Sequence, residues 1–162
     1  QINSAKPSDF VRIGLSANEL IPWSEPLIER FLDEWDWHDL SGNVSIPWSD
    51  ALIDRYAERW AWGELSINHA IPWTEALIER YAERWFFGEM RFENHPEIDE
   101  FIVEGLSSNK NIPWSGLLID RYADKWDWDR LRSNESVIKL VDNINQELVA
   151  KIMECNVQDN SF

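Results

Sequence analysis

Cysteine, glycine and basic residues are scarce in this chain of 162 residues. A single cysteine, Cys155, excludes an internal disulfide and a cysteine-rich zinc site. Six glycines leave little room for a phosphate-binding loop, and no apolar run approaches the roughly 18 residues of a membrane span. Fifteen Lys and Arg against thirty Asp and Glu give a net charge of −15. This charge argues against nonspecific binding to nucleic acid or an anionic membrane and favours a basic protein partner.

Tryptophan, by contrast, is abundant, and all eleven copies fall at fixed places in a repeated phrase. The tripeptide Ile-Pro-Trp begins at Ile21, Ile46, Ile71 and Ile112, so the intervals are 25, 25 and 41 residues. The full unit reads L-S-x-N-x-x-I-P-W-[ST]-x-x-L-I-[DE]-R-[FY]-x-[DE]-x-W-x-W. Such internal repetition predicts an architecture of stacked repeats.

Each unit predicts two helices. The residue after Ile-Pro-Trp is a good N-cap in every copy: Ser24, Ser49, Thr74 and Ser115. An apolar stripe then runs from Leu27 to Trp35, which predicts a helix of about three turns. Trp37 and Leu40 predict a second, shorter helix, and Asn43 predicts the turn that ends it.

The predicted fold is therefore all-α: a single repeat domain spanning 1–162 that forms a short helical solenoid. Residues 1–13 are assigned to an N-terminal cap, 14–134 to the Trp-rich repeats, 135–154 to a C-terminal capping helix and 155–162 to a tail. Amphipathic spacing predicts a core built from Trp23, Trp35, Trp48, Trp60, Trp73, Trp85, Trp114 and Trp126. Without an apolar span the protein is expected in the cytoplasm, although a chain that begins at Gln1 leaves a targeting segment upstream open.

The long interval predicts a truncated repeat at 86–104, where Phe101 and Val103 stand in for two tryptophans. This segment is rich in acidic residues, which makes it the candidate partner-binding patch: Glu93, Glu97, Asp99, Glu100 and Glu104. The alternative interpretation is a decayed repeat with a solvated acidic face.

No constellation in the sequence predicts catalysis, a metal site or a cofactor. His38, His69 and His95 occupy three different repeat positions and form no ligand spacing. A column of arginines recurs with an acid three residues later, which predicts local ion pairs rather than a ligand-binding row. Its members are Arg30, Arg55, Arg80 and Arg121, with Asp33, Glu58, Glu83 and Asp124.

The repeats LSGNVSIPWSDALIDRYAERWAW and LSINHAIPWTEALIERYAERWFF carry a resemblance. Over residues 14–134 the chain resembles a group of mostly bacterial proteins built from tandem Trp-rich repeats of this length. The resemblance implies a repeat fold and no particular activity.

The leading hypothesis is a noncatalytic acidic module that captures a basic, nucleic-acid-binding protein, as an inhibitor or immunity-type protein that mimics DNA. An alternative from another class is a carbohydrate-binding or small-ligand-binding repeat that uses tryptophan rings as platforms. A third is an architectural segment of a longer repeat protein. The three differ in where the indole rings lie and in whether binding depends on salt.

Overall fold

The protein, seen in a computed structural model, is a row of short helices interrupted by one two-stranded sheet. The structure describes residues 14–88, 90–95 and 98–158. We number the repeats one (21–45), two (46–70), three (71–111) and four (112–136). The elements in chain order are α1 (Glu25–Arg30), α2 (Trp37–Gly42), α3 (Asp50–Arg55), α4 (Trp62–Ile67), α5 (Glu75–Arg80), β1 (Met90–His95), β2 (Ile98–Val103), a 3₁₀ turn (Leu106–Ser108), α6 (Gly116–Arg121), α7 (Trp128–Ser133) and α8 (Glu135–Gln158).

The first helix of each repeat starts where the sequence predicts. Ser49 has extended backbone and its Oγ accepts a hydrogen bond from Leu52 N at 3.2 Å, and Thr74 does the same for Leu77 N at 3.1 Å. An acid in the first turn, such as Asp50, meets the positive end of the helix. The N-cap prediction is confirmed in all four repeats.

These helices end sooner than predicted. Each has six residues, and α3 stops at Arg55, with Tyr56 already out of helical conformation at φ −117° and ψ 29°. A helix this short has almost no carbonyl with an internal partner, because the last four carbonyls of any helix lack one. The side chain of Trp60 supplies a donor: its Nε1 bonds Ile53 O at 3.2 Å. The chain therefore turns where we expected the helix to continue.

Every tryptophan makes the same kind of hydrogen bond. All eleven indole N–H groups donate to a main-chain carbonyl within the chain. An apolar residue of similar size fills the space but cannot donate, so the fold needs an aromatic ring with an N–H at these places. This explains why tryptophan, rather than phenylalanine or leucine, dominates the repeat.

Successive repeats are joined by buried asparagines. Asn68 Nδ2 donates to Ser41 O in the preceding repeat at 2.9 Å, and its Oδ1 accepts from Ala70 N at 2.9 Å. Ser41 Oγ in turn accepts from Ala61 N in the following repeat at 2.9 Å. The equivalent bonds from asparagine to the preceding serine carbonyl are made by Asn43, Asn109 and Asn134.

The irregular interval contains a β-hairpin, and the prediction of a truncated repeat at 86–104 is wrong. Strands β1 and β2 pair antiparallel, with Phe92 opposite Phe101. The hairpin interrupts the short helix of repeat three, and the helical bonds close across it: Leu106 N donates to Phe86 O at 2.7 Å. Helical structure is confirmed for the repeats, and this insertion is a local departure from an all-α fold.

Gly105 marks the point where the chain re-enters repeat three. A Cβ atom there would lie 2.4 Å from Phe86 O and 2.5 Å from Gly88 O, and backbone atoms cannot move aside. We expect Gly105→Ala to lower the free energy of unfolding by about 1 to 3 kcal/mol, the usual cost of overpacking. Urea denaturation measures it.

The control is Gly116→Ala, because a Cβ at this first residue of α6 meets nothing within 4 Å. Alanine is the better helix former by roughly 0.5 to 1 kcal/mol, so this variant should be unchanged or slightly more stable. Equal losses from the two substitutions would contradict the close approach at Gly105.

The C-terminal segment forms the helix α8, longer than the 135–154 predicted. Val137 is buried against the last repeat, but Val141 and Ile144 are about half exposed, at 48% and 49%. Among the side chains described, the apolar residues of α8 are therefore covered only near its start. The predicted N-terminal cap (1–13) lies outside the described residues, as does the end of the tail (159–162).

Candidate functional site

The acidic residues predicted to bind a partner lie on or beside the hairpin. Glu93 in β1 is directly opposite Glu100 in β2, and like charges at opposed positions destabilise a strand pair. Asp99 is in β2, and Glu97 lies outside the described residues. Glu104 is exposed and accepts a hydrogen bond from Arg130 Nη1 at 3.0 Å. Of the predicted acids, Glu93, Asp99 and Glu100 therefore belong to the two strands, and Glu104, directly after β2, forms an ion pair with Arg130 of the last repeat.

Three arginines of the column, Arg55, Arg80 and Arg121, pair with acids of the preceding repeat, and the prediction of local ion pairs is wrong. Arg121 bonds Glu79 of the preceding repeat at 3.2 Å, whereas its expected partner was Asp124, three residues away. The reason is that α6 ends at Arg121, so a spacing of three residues no longer places two side chains on one helix face. The acids that were expected to pair locally instead pair with a different cation of the next repeat: Asp33 with Arg59, Glu58 with Arg84 and Glu83 with Lys125.

One junction carries an additional tyrosine. Asp54 of repeat two accepts from Arg80 Nη1 at 2.9 Å and from Tyr81 Oη at 2.7 Å, both in repeat three. The hydrogen bond from Tyr81, followed by the charge of Arg80, lowers the pKa of Asp54. Burial and the bond to Asp54 raise the pKa of Tyr81 to about 12. Both shifts favour the paired state near neutral pH.

The stability of the fold should fall in alkali partly because of Tyr81. Its pKa is about 12 in the folded protein and about 10 in an unfolded chain, so its contribution is complete below pH 10 and is lost as the pH rises from about 10 to 12. Tyr81→Phe should flatten the decline of Tm over this window. Tyr122→Phe, at the same repeat position, is the control. Parallel declines for wild type and Tyr81→Phe would contradict the assignment.

Tryptophan side chains are mostly withdrawn from solvent. Among the eight predicted core residues, Trp35 and Trp114 are half-buried and the other six are buried. The ring of Trp60 lies 5.0 Å from Trp48 of its own repeat and 4.7 Å from Trp37 of the preceding one, measured between centroids. Trp128 differs, because 45% of its surface is exposed.

Histidines and metal ligands offer no second site. His38 Nε2 lies 3.3 Å from Glu64 but its side chain is 66% exposed. The main-chain carbonyl of His69 accepts a hydrogen bond from Asn111 Nδ2, and His95 lies in β1. Among residues 14–88, 90–95 and 98–158 no group of three or more His, Cys, Asp or Glu is placed to hold a metal ion. In the same ranges no helix is both long and apolar enough to cross a membrane.

The sequence interpretation missed the two polar residues that join the repeats. Asn43 and its equivalents were expected only to end a helix, and the preceding serine was given no role. The signal was present, because serine stands two residues before this asparagine in every copy of the phrase Leu-Ser-x-Asn. Ser16, Ser41, Ser66 and Ser107 are all fully buried.

Comparison with models of protein families, with curated proteins and with solved structures finds no match for this chain.

Proposed function

We propose that the four repeats stack as a short helical solenoid, as the resemblance to tandem Trp-rich repeat proteins implies. The support is that each junction contains the same three contacts: an asparagine bond to the preceding repeat, an aromatic contact, and ion pairs. We also propose that α8 caps the stack on the side of α7, because Val137 is buried there. Asn134 supports this arrangement by bonding Ser107 O at 3.0 Å, directly before α8.

We infer that this chain is a noncatalytic protein-binding module that captures a basic protein. The observation that carries the proposal is that nearly all described cations are paired with carboxylates, whereas several exposed carboxylates are paired with no cation. Of the lysines and arginines whose side chains the structure describes, all except Arg30 and Lys139 form an ion pair with a carboxylate. Exposed carboxylates without such a pair remain on several surfaces: Glu19, Glu29, Asp120, Asp124 and Asp142.

Each of these cations is matched by a carboxylate, in most cases across two repeats, so the unpaired acids carry the surplus negative charge. A negative field of this kind speeds association with a positively charged protein and repels nucleic acid. An inhibitor or immunity-type protein that blocks a nucleic-acid-binding surface would use such a field. A carbohydrate platform is less well supported, since ten of the eleven tryptophans are buried or half-buried.

The test begins with affinity capture of partners from nuclease-treated lysate of the source cells, followed by measurement of the dissociation constant of the purified partner at increasing salt. We expect a basic partner, and a dissociation constant that rises about tenfold or more between low and high ionic strength. Duplex DNA should compete with the chain for this partner.

Two variants make the test specific. Replacing Glu19 and Glu29 by glutamine and Asp142 by asparagine removes three unpaired charges and should weaken binding. Arg30→Gln removes a cation without a carboxylate partner and should leave binding equal or tighter. An affinity that does not change with salt or with these substitutions would refute electrostatic capture.

A further inference from the structure

Every junction between repeats is built from the same donor and acceptor groups. The ring that opens the short helix of one repeat packs on a tryptophan of the next: Trp37 on Trp60, Trp62 on Trp85 and Phe87 on Trp126, at 4.7 to 4.8 Å between centroids. A cation of the next repeat lies over that first ring, as Arg59 lies over Trp37 at 5.6 Å. The same cation pairs with an acid of the preceding repeat. Each repeat thus offers its successor one ring and a set of carboxylates.

Repeat four carries these acceptor groups, and the helix α8 rather than another repeat follows it directly. Trp128 is the ring, and Asp120 and Asp124 are the acids at the positions of Glu79 and Glu83. Trp128 is 45% exposed, whereas Trp37 and Trp62 are half-buried beneath the next repeat. Over the residues that the structure describes, no ring or cation packs on Trp128 and no cation pairs with either aspartate. We call Asp120, Asp124 and Trp128 the end surface.

We propose that the end surface binds a segment of a basic partner protein that carries the pattern R-[FY]-x-x-[RK]-W, with a short helix that ends at the first cation and a turn that carries the remaining residues. The internal junctions show what such a segment would bring. Its two aromatic rings would pack on Trp128, its first cation would meet Asp120, and its second would meet Asp124 while covering the ring. The proposal rests on the proposed function and names the surface and the chemistry of the partner. It extends an interface that the chain already forms with itself.

A second copy of this chain fits the end surface poorly. Only repeat one has no complete repeat before it, and Glu34 stands where the later repeats carry Arg59, Arg84 and Lys125. In a head-to-tail pair Glu34 would face Asp124, where it cannot supply the cation that forms the ion pair at each internal junction. The main-chain donor that would bind a preceding repeat is also already in use, because Asp36 N donates to Ser16 Oγ at 2.9 Å. The partner is therefore a different chain with cations at both positions.

The test uses a peptide that is known to satisfy such a surface. Residues 46–62 of this chain contain Arg55, Tyr56, Arg59 and Trp60 in the required order. The ¹⁵N-labelled protein is titrated with this peptide and with a version whose helical part, Asp50–Arg55, is held by a staple on its solvent face, so that the cost of folding does not mask binding. We expect shifts of the Trp128 indole signal and of the amides of 120–128, and none with the peptide carrying Arg55→Glu and Arg59→Glu.

Protein variants locate the contact. Trp128→Ala and Asp124→Lys should each weaken binding of the stapled peptide about tenfold or more, as loss of an interface anchor or of a charge partner does. Ala51→Lys adds a positive charge at an exposed position of repeat two and should change the affinity little. Thermal melts confirm that each variant is folded.

The outcomes separate this inference from the proposed function. Shifts at the end surface that vanish with the reversed-charge peptide support it. Binding that is equal in Trp128→Ala and wild type, or no binding of the stapled peptide at millimolar concentration, overturns it. In that case a salt-sensitive basic partner captured through other acids would leave the proposed function standing.

Discussion

Replacing Trp60 by alanine is expected to lower the free energy of unfolding by about 3 to 5 kcal/mol, the scale of large aromatic truncations in cores. Trp60 is only 4% exposed and lies between Trp48 of its own repeat and Trp37 of the preceding one. The substitution removes this packing and also the donor to Ile53 O, which leaves a helix-terminal carbonyl without its partner. Urea denaturation followed by far-ultraviolet circular dichroism measures the loss.

Trp128→Ala is the matched control, because it removes the same side chain from an exposed position. Its indole also bonds a carbonyl, Ala123 O at 3.1 Å, so the two variants differ mainly in burial. The control should cost less than about 1 kcal/mol, as most exposed substitutions do. A loss under about 1 kcal/mol for Trp60 itself would contradict its place in the core.

Asn68→Ala should be the second most damaging substitution, with a loss of about 2 to 4 kcal/mol. Asn68 is 3% exposed, and its side chain bonds both Ser41 O and Ala70 N. Alanine leaves both of these main-chain groups without their partner, and each buried unsatisfied group costs about 1 to 3 kcal/mol. Because one of the bonds crosses between repeats, we also expect the transition to become less cooperative.

Asn111→Ala provides the comparison for Asn68. Asn111 also donates to the preceding repeat, at His69 O and 2.7 Å, but it is exposed, so water replaces the lost bond. This variant should lose less than about 1 kcal/mol. If both asparagine variants behaved alike, the buried bonds would not be what joins the repeats.

Local features of this fold are well predicted by the sequence, because they depend on neighbouring residues. The serine or threonine after Ile-Pro-Trp predicts each N-cap, and the spacing of Trp37 and Leu40 predicts the start of the short helix. Asn43 follows the last residue of that helix, as its turn preference indicates. In each case the interacting groups lie within one turn of chain.

Contacts between repeats are not predictable in the same way. The ion pairs of Arg121 and Lys125 reach across 42 residues of chain, and they were assigned locally because the helix was expected to continue. The hairpin is not predicted, because Phe101 and Val103 match the positions of a tryptophan pair. The apolar run Phe101, Ile102 and Val103 is equally typical of a strand. The exposure of Trp128 depends on what packs beside repeat four. The local sequence around Trp128 does not predict this.

The central claim is that indole rings hold the repeats together from inside and are not platforms for a ligand. Hydrogen exchange of the indole N–H groups, followed by NMR, tests it most directly. The bonds of Trp48, Trp60 and Trp73 are buried, so these protons should exchange only when the whole chain unfolds, and that of Trp128 should exchange fastest. Rapid, unprotected exchange at all eleven tryptophans would contradict the account.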